Sequence, residues 1–248
     1  MTAHSTTDVD TGWRDRPHVE RDARYVISLP HRTDRQKAMR RELSRIGWEA
    51  EFFPAVRPDN AAGFPSIGAR GCFLSHLAVL KQAIQDGADR LIILEDDLSF
   101  VRDFSTRWPT VLAKLEAENW DVFYPGHVIE NLPEGLVWLD PSTAVRCTHF
   151  MMISGRVLPM LVVGLETILS RPAGHPLGGP MHVDGAYSTI RAQCPELATF
   201  VHGPALGFQR PSRTDISAPR WFDRFELLAP IVRCARDLKG ATKRSRNL

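Results

Sequence analysis

The chain has 248 residues, of which 43% are hydrophobic and 24% charged, and its formal net charge at neutral pH is +2. That is the composition of a globular protein long enough to bury a sizeable core. The charge is too small to recruit nucleic acid through overall electrostatics, so no nucleic-acid partner is expected. Four scattered cysteines (Cys72, Cys147, Cys194, Cys234) form no Cys-x-x-Cys pair and no Cys/His spacing suited to zinc, and read as reduced thiols of a cytoplasmic protein. The N-terminus lacks the apolar core of a signal peptide. The most apolar segment, 157–169, is interrupted by Pro159, Gly164 and Glu166, so neither export nor a membrane span is expected.

Residues 1–22 are polar and without period, and are expected to form a flexible leader to a domain over 23–217. The β-rich run from Arg24 to Leu29, ended by Pro30, predicts a first strand. A helix is expected from Thr33, with Met39, Leu43 and Ile46 on one face and Gly47 ending it. Trp48 to Phe53 predicts a second strand, and the prolines and glycines of 55–68 a loop. The next helix carries Phe73, Leu77, Leu80 and Ile84 at helical spacing. Its glycine-rich start and Arg70 suit an anion, and Ser75 and His76 lie close enough to face the same ligand. A helix-surface or core histidine is the competing reading for His76.

Further on, 107–118 predicts a helix with Pro109 in its first turn, and 120–124 a strand. A short strand near Val137, a strand over 145–153 and a helix over 155–169 follow. The Gly/Pro-rich segment 170–181 reads as a loop suited to an active-site flap, then come a helix from Val183 to Gln193 and a β-like stretch over 197–208. Residues 218–248 are amphipathic and increasingly basic, which fits either a peripheral contact with an anionic membrane or a helix packed on the domain.

The most informative stretch is Leu91-Ile92-Ile93-Leu94-Glu95-Asp96-Asp97. An unbroken apolar run suits a strand buried on both faces, and open α/β folds bind ligands at the carboxyl ends of such strands. In extended backbone Glu95 and Asp97 point one way and Asp96 the other, so two carboxylates are placed to hold a hard divalent cation. The alternative is a solvated turn or a cap for the next helix.

Taken in order, four stretches resemble glycosyltransferase family 25. They are Tyr25 to Arg35 with its paired arginines, Gly71-Cys72-Phe73-Leu74-Ser75-His76, Leu94-Glu95-Asp96-Asp97, and Trp120-Asp121 with Gly126. Weaker echoes are Ile153-Ser154, Val183-Asp184, and Gln209 with Thr214-Asp215-Ile216. The family usually has Asn at the position of Ser28 and Ser at that of Thr214. The resemblance implies an α/β, GT-A-type, Rossmann-like fold with a mixed, mainly parallel sheet flanked by helices. It also implies an inverting glycosyltransferase that moves a sugar, galactose first, from a UDP-sugar to a glycan or glycolipid acceptor in lipopolysaccharide or other surface polysaccharide synthesis. Mn²⁺ or Mg²⁺ would be held by Asp97 and Glu95, because negative charge grows on the departing diphosphate. Glu95 and Asp96, with Ser28, Leu29, Arg32, Arg35, Arg70, Ser75, Gln209 and Asp215, are the expected donor contacts. Asp184 and His76 are the candidates for the base that takes the acceptor proton. The rival readings are a catalytically silent nucleotide-sugar or glycan-binding relative and a sugar nucleotidyltransferase.

Overall fold

A computed structural model describes residues 21–210 of the chain. The expected leader up to residue 20, the segment 218–248 and Asp215 lie outside the described residues. Nine strands form one sheet: β1 (Asp22–Ser28), β2 (Glu51–Pro54), β3 (Arg90–Glu95), β4 (Leu98–Phe100), β5 (Val122–Gly126), β6 (Gly135–Trp138), β7 (Phe150–Ser154), β8 (Thr199–Gly203) and β9 (Gly207–Gln209). Five helices flank it: α1 (Thr33–Ile46), α2 (Ile67–Gln85), α3 (Phe104–Glu116), α4 (Leu158–Ser170) and α5 (Val183–Gln193).

The sheet order is β2-β1-β3-β7-β5-β8-β6, and β9 joins β5 while pairing with β4. β1 runs parallel to β2 and β3, and β5 parallel to β8 and β9. β7 is antiparallel to β3 and β5, β6 to β8 and β4 to β9, so the sheet is mixed. Both faces are covered, and the side-chain alternation of the central strands divides them. Leu91, Ile93, Tyr25, Ile27, Met151 and Ile153 enter the core beneath α2, α4 and α5. Ile92, Leu94, Val26, Phe150 and Met152 enter the opposite core with α1 and α3. The unbroken apolar run of β3 thus has the cause inferred from sequence, although one neighbour, β7, is antiparallel.

Several boundaries differ from expectation for packing reasons. β2 starts at Glu51 because Trp48 turns inward, edge-on to Phe104 and Trp108 with ring centroids 5.2 and 5.1 Å away. Burial of Phe104 in this same cluster starts α3 early, which leaves Pro109 inside the helix rather than in its first turn. Residues 145–149 are not strand, since Cys147 at φ 73° takes the chain out of extended geometry before β7. β4 has only three residues, too few to show a period. α2 is buried more broadly than one stripe, through Gly68, Gly71, Ser75, His76 and Val79, because it lies between the sheet and α4 and α5; Ile84 in its last turn is exposed. α1 ends at Gly47 in the left-handed conformation, and α5 spans the expected residues. Among the described residues no helix is long and apolar enough to cross a membrane.

Candidate active site

β3 ends at Glu95, and Asp96 and Asp97 turn the chain toward β4. The pleat separates the first two acids as expected. Glu95 faces α2, where its Oε1 lies 3.7 Å from His76 Nε2 and accepts a hydrogen bond from Thr148 at 3.3 Å. Its Oε2 accepts one from Gln209 at 3.2 Å. Asp96 faces the other way, accepting from Ser28 Oγ at 2.7 Å and pairing with Arg35 at 2.9 Å. Asp97 does not continue the alternation. It sits in the turn and shares Arg35 with Asp96, at 3.5 Å. Arg210 fastens the turn from outside: its guanidinium donates to the Asp96 carbonyl at 2.8 Å and its N–H to the Asp97 carbonyl at 2.7 Å.

Three carboxylates in one turn repel one another. Burial first, then the charges of Glu95 and Asp96, push the Asp97 carboxyl up to about 6, with Arg35 and Arg210 opposing them. Its Oδ1 is buried and has no hydrogen-bond partner among the described residues. Burial also opposes ionisation of Glu95, but the His76 and His149 imidazoles and the Thr148 hydroxyl outweigh it and hold that carboxyl below its ordinary value. An orphaned carboxylate oxygen beside two further acids fits a hard divalent cation, which takes oxygen ligands and relieves the repulsion.

A cavity of about 580 Å³ opens beside the acids, within the range of small-molecule sites. Of the residues singled out by sequence, Ser28, Leu29, Arg32, Arg35, Ser75, Glu95 and Asp96 line it. Arg32 is gripped by Asp34 through two bonds of 3.0 Å, and the guanidinium holds the Asp34 carboxyl down at about 2. Ser75 donates to the Gly71 carbonyl at 2.7 Å and accepts from the Val56 N–H at 2.8 Å, so its hydroxyl holds the 55–59 loop that forms the far wall. Arg70 is not brought to the cavity; its guanidinium bonds Asn60.

Asp184 lies in the first turn of α5, accepting from the N–H groups of Gly185 at 2.8 Å and Cys147 at 3.2 Å; it is not the helix N-cap, which is His182. His76 is fully buried, with Nδ1 3.4 Å from the Tyr187 hydroxyl. Burial pushes the Cys72 thiol well up, and the charges of Glu95, Asp184 and Asp97 add to this. Cys72, Thr148, Tyr187 and Arg210 were missed by sequence reasoning. The Cys72–His76 spacing of four on a helix was the available signal for the first, and the other three are long-range neighbours with none.

Residues 21–128 match the family model described as "Glycosyltransferase family 25 (LPS biosynthesis protein)". Over these residues the chain is similar to glycosyltransferase family 25. Inactive glycosyltransferase 25 family member 3 of Homo sapiens is 28% identical over 188 residues, covering 66% of this chain and 30% of that protein. Procollagen galactosyltransferase 1-B of Xenopus laevis is 30% identical over 128 residues, covering 42% of this chain and 21% of that protein. The chain therefore spans less than a third of the length of these family-25 relatives. A crystal structure of a glycosyltransferase involved in the glycosylation of the major capsid of PBCV-1 superposes with a TM-score of 0.52 at 11% identity, covering 78% of this chain and 94% of that one. The fold is the GT-A-type mixed sheet flanked by helices.

Proposed function

We propose that this chain is an inverting, cation-assisted glycosyltransferase that moves galactose from UDP-galactose to a glycan acceptor of lipopolysaccharide or another surface polysaccharide. The observation that carries the reading is the buried, unpartnered Asp97 Oδ1 in a turn of three acids beside a cavity walled by Arg32 and Arg35. Asp97 and Glu95 would hold Mn²⁺ or Mg²⁺, and a bound cation supplies neutralisation of the charge that grows on the leaving diphosphate. Arg35 and Arg32 bind the donor's phosphates, for which guanidinium forks are suited. Ser28, Leu29 and Asp96 contact the nucleoside, and Ser28 fixes Asp96 through its hydrogen bond. Asp184 takes the acceptor proton; its two N–H donors leave lone pairs on the carboxylate for that task. His76, enclosed behind Glu95, positions that acid.

Incubation with UDP-galactose, Mn²⁺ and glycan acceptors tests this. UDP release with a galactosylated product, lost in EDTA, is expected. Relatives named inactive or probable inactive make a silent binding protein the second reading. Donor binding without turnover across a broad acceptor panel would establish it, and pyrophosphate release from UTP and a sugar phosphate would establish a nucleotidyltransferase.

The wall of the cavity gives a further prediction. A Cβ at Gly71 would sit 2.7 Å from the Val56 carbonyl oxygen and 3.2 Å from Pro58, so the loop must move off α2. Gly71→Ala is expected to cost about 1–3 kcal/mol of stability and to weaken UDP binding. Thermal melts and calorimetric UDP titration read the two effects, and unchanged UDP affinity would remove the loop from the donor site.

A further inference from the structure

Cys72, His76 and Glu95 form a cluster whose thiol and imidazole would not be ligands of the hard cation in sugar transfer. The thiol, the imidazole and the carboxylate each offer one ligand atom, and the three atoms lie within 4.8 Å of one another. Cys72 and His76 are four residues apart on α2 and so share one helical face, and Glu95 meets them from the end of β3. Around tetrahedral Zn²⁺, ligand atoms are spaced about 3.4–3.6 Å apart. The His76–Glu95 separation of 3.7 Å is already close to that value.

Two observations point to a ligand here. His76 Nε2 is completely buried, faces Glu95, and has no hydrogen-bond partner among the described residues. A buried ring nitrogen without a partner is costly, and coordination would satisfy it. The surrounding groups hold the candidate ligands as the neighbours of metal ligands commonly do. Tyr187 OH faces the other ring nitrogen, and Thr148 and Gln209 hold the two Glu95 oxygens. Cys72 and Glu95 also line the cavity, so a fourth position would open into it.

We propose that Cys72 Sγ, His76 Nε2 and Glu95 form a site for a thiophilic divalent metal of the Zn²⁺ class, with its fourth position open to the cavity. A sulfur–nitrogen–oxygen set selects Zn²⁺ or Co²⁺ over Mn²⁺ and Mg²⁺, whose preference is for oxygen alone. Glu95 is common to this site and to the acidic turn, so a metal held here withdraws that carboxylate from Asp97. The proposal needs no donor or acceptor, and its test is independent of whether sugar is transferred.

The test uses the full 248-residue chain, stripped of metal, kept reduced and titrated with Co²⁺. One equivalent should bind with a thiolate-to-cobalt charge-transfer band and tetrahedral d–d bands. Zn²⁺ should displace it, and Mn²⁺ at equal concentration should not. Cys72→Ser, with its fold checked by circular dichroism, should lose the charge-transfer band, and Cys147→Ser and Cys194→Ser should keep it. If Cys72→Ser does not fold, Glu95→Gln reads the same site, with an expected loss of at least about tenfold in Co²⁺ affinity, a typical cost of disturbing a metal site. Absence of the band in the folded wild-type chain, its survival in Cys72→Ser, or unchanged affinity in Glu95→Gln would each overturn the proposal.

Discussion

Asp97→Asn is expected to lower cation-dependent sugar transfer by about a hundredfold or more while raising the melting temperature of the cation-free protein. The two effects share one cause. The Asp97 carboxyl stands at about 6 because folding buries it and sets it beside Glu95 and Asp96. Above that pH it is ionised in the fold at a cost of roughly 3 kcal/mol relative to the unfolded chain. Asparagine keeps the shape and removes the charge, though it weakens the 3.5 Å contact with Arg35. A net gain of about 1–3 kcal/mol is expected, worth about 2–4 °C per kcal/mol in a chain of this size.

The sign follows from proton binding. Between the ordinary carboxylate range and about 6, folded Asp97 holds a proton that the unfolded chain has released. Its contribution to stability therefore falls as pH rises through that window. Melts of both proteins in EDTA should diverge at pH 7.5 and converge at pH 4.5, and an asparagine variant that melts lower at pH 7.5 would contradict the assignment. Cations bind the ionised form, so Mn²⁺ affinity in wild type should drop about tenfold per pH unit below about 6. Isothermal titration across that range measures the slope.

Arg191→Ala should destabilise the fold by about 3–5 kcal/mol, the largest single loss expected away from the site. Arg191 is 1% exposed. Its guanidinium donates to Thr199 Oγ1 at 2.9 Å and to the carbonyls of Thr143 at 2.9 Å, Asp140 at 3.0 Å and Leu139 at 3.5 Å. Alanine leaves the buried Thr199 hydroxyl and Leu139 carbonyl, and the half-buried carbonyls of Thr143 and Asp140, around a void. Arg191→Lys should recover only part of the loss, because an ammonium cannot reproduce a planar fork. Since α5 also carries Asp184, the variant should lose acceptor turnover before donor binding, as the fork ties that helix to β8 and to the segment before β7. Chemical denaturation gives the stability loss, and a denaturation midpoint equal to wild type would show that other contacts satisfy these carbonyls.

The central strands were legible because burial on both faces leaves an uninterrupted apolar run in β3, and α1 and α5 because periodicity and Gly47 mark them locally. β4 and the start of β7 were not, since one is three residues long and the other is set by the backbone at Cys147. At the site, the opposite directions of Glu95 and Asp96 follow from the pleat and were foreseen. The sharing of Arg35 by Asp96 and Asp97 was not, because the strand ends at Glu95 and a turn has no period to extrapolate. Arg70 looked like an anion-binding group from its place at a helix start, but Asn60, ten residues earlier in the loop, takes its guanidinium.

The grip of Arg210 on the acidic turn has a consequence for how the protein comes off the ribosome. Asp96 is held from one side by Ser28 and Arg35, made long before it, and from the other by a guanidinium 114 residues downstream. The family match ends at residue 128, yet Thr148, Gln209 and Arg210 all hold the acids within it. A nascent chain stalled at 128 would display the whole acidic motif without the groups that fix its shape. Vectorial synthesis therefore delivers the recognisable part of the protein first and the contacts that shape its acidic turn last, and closing such distant contacts makes this corner a late event in folding.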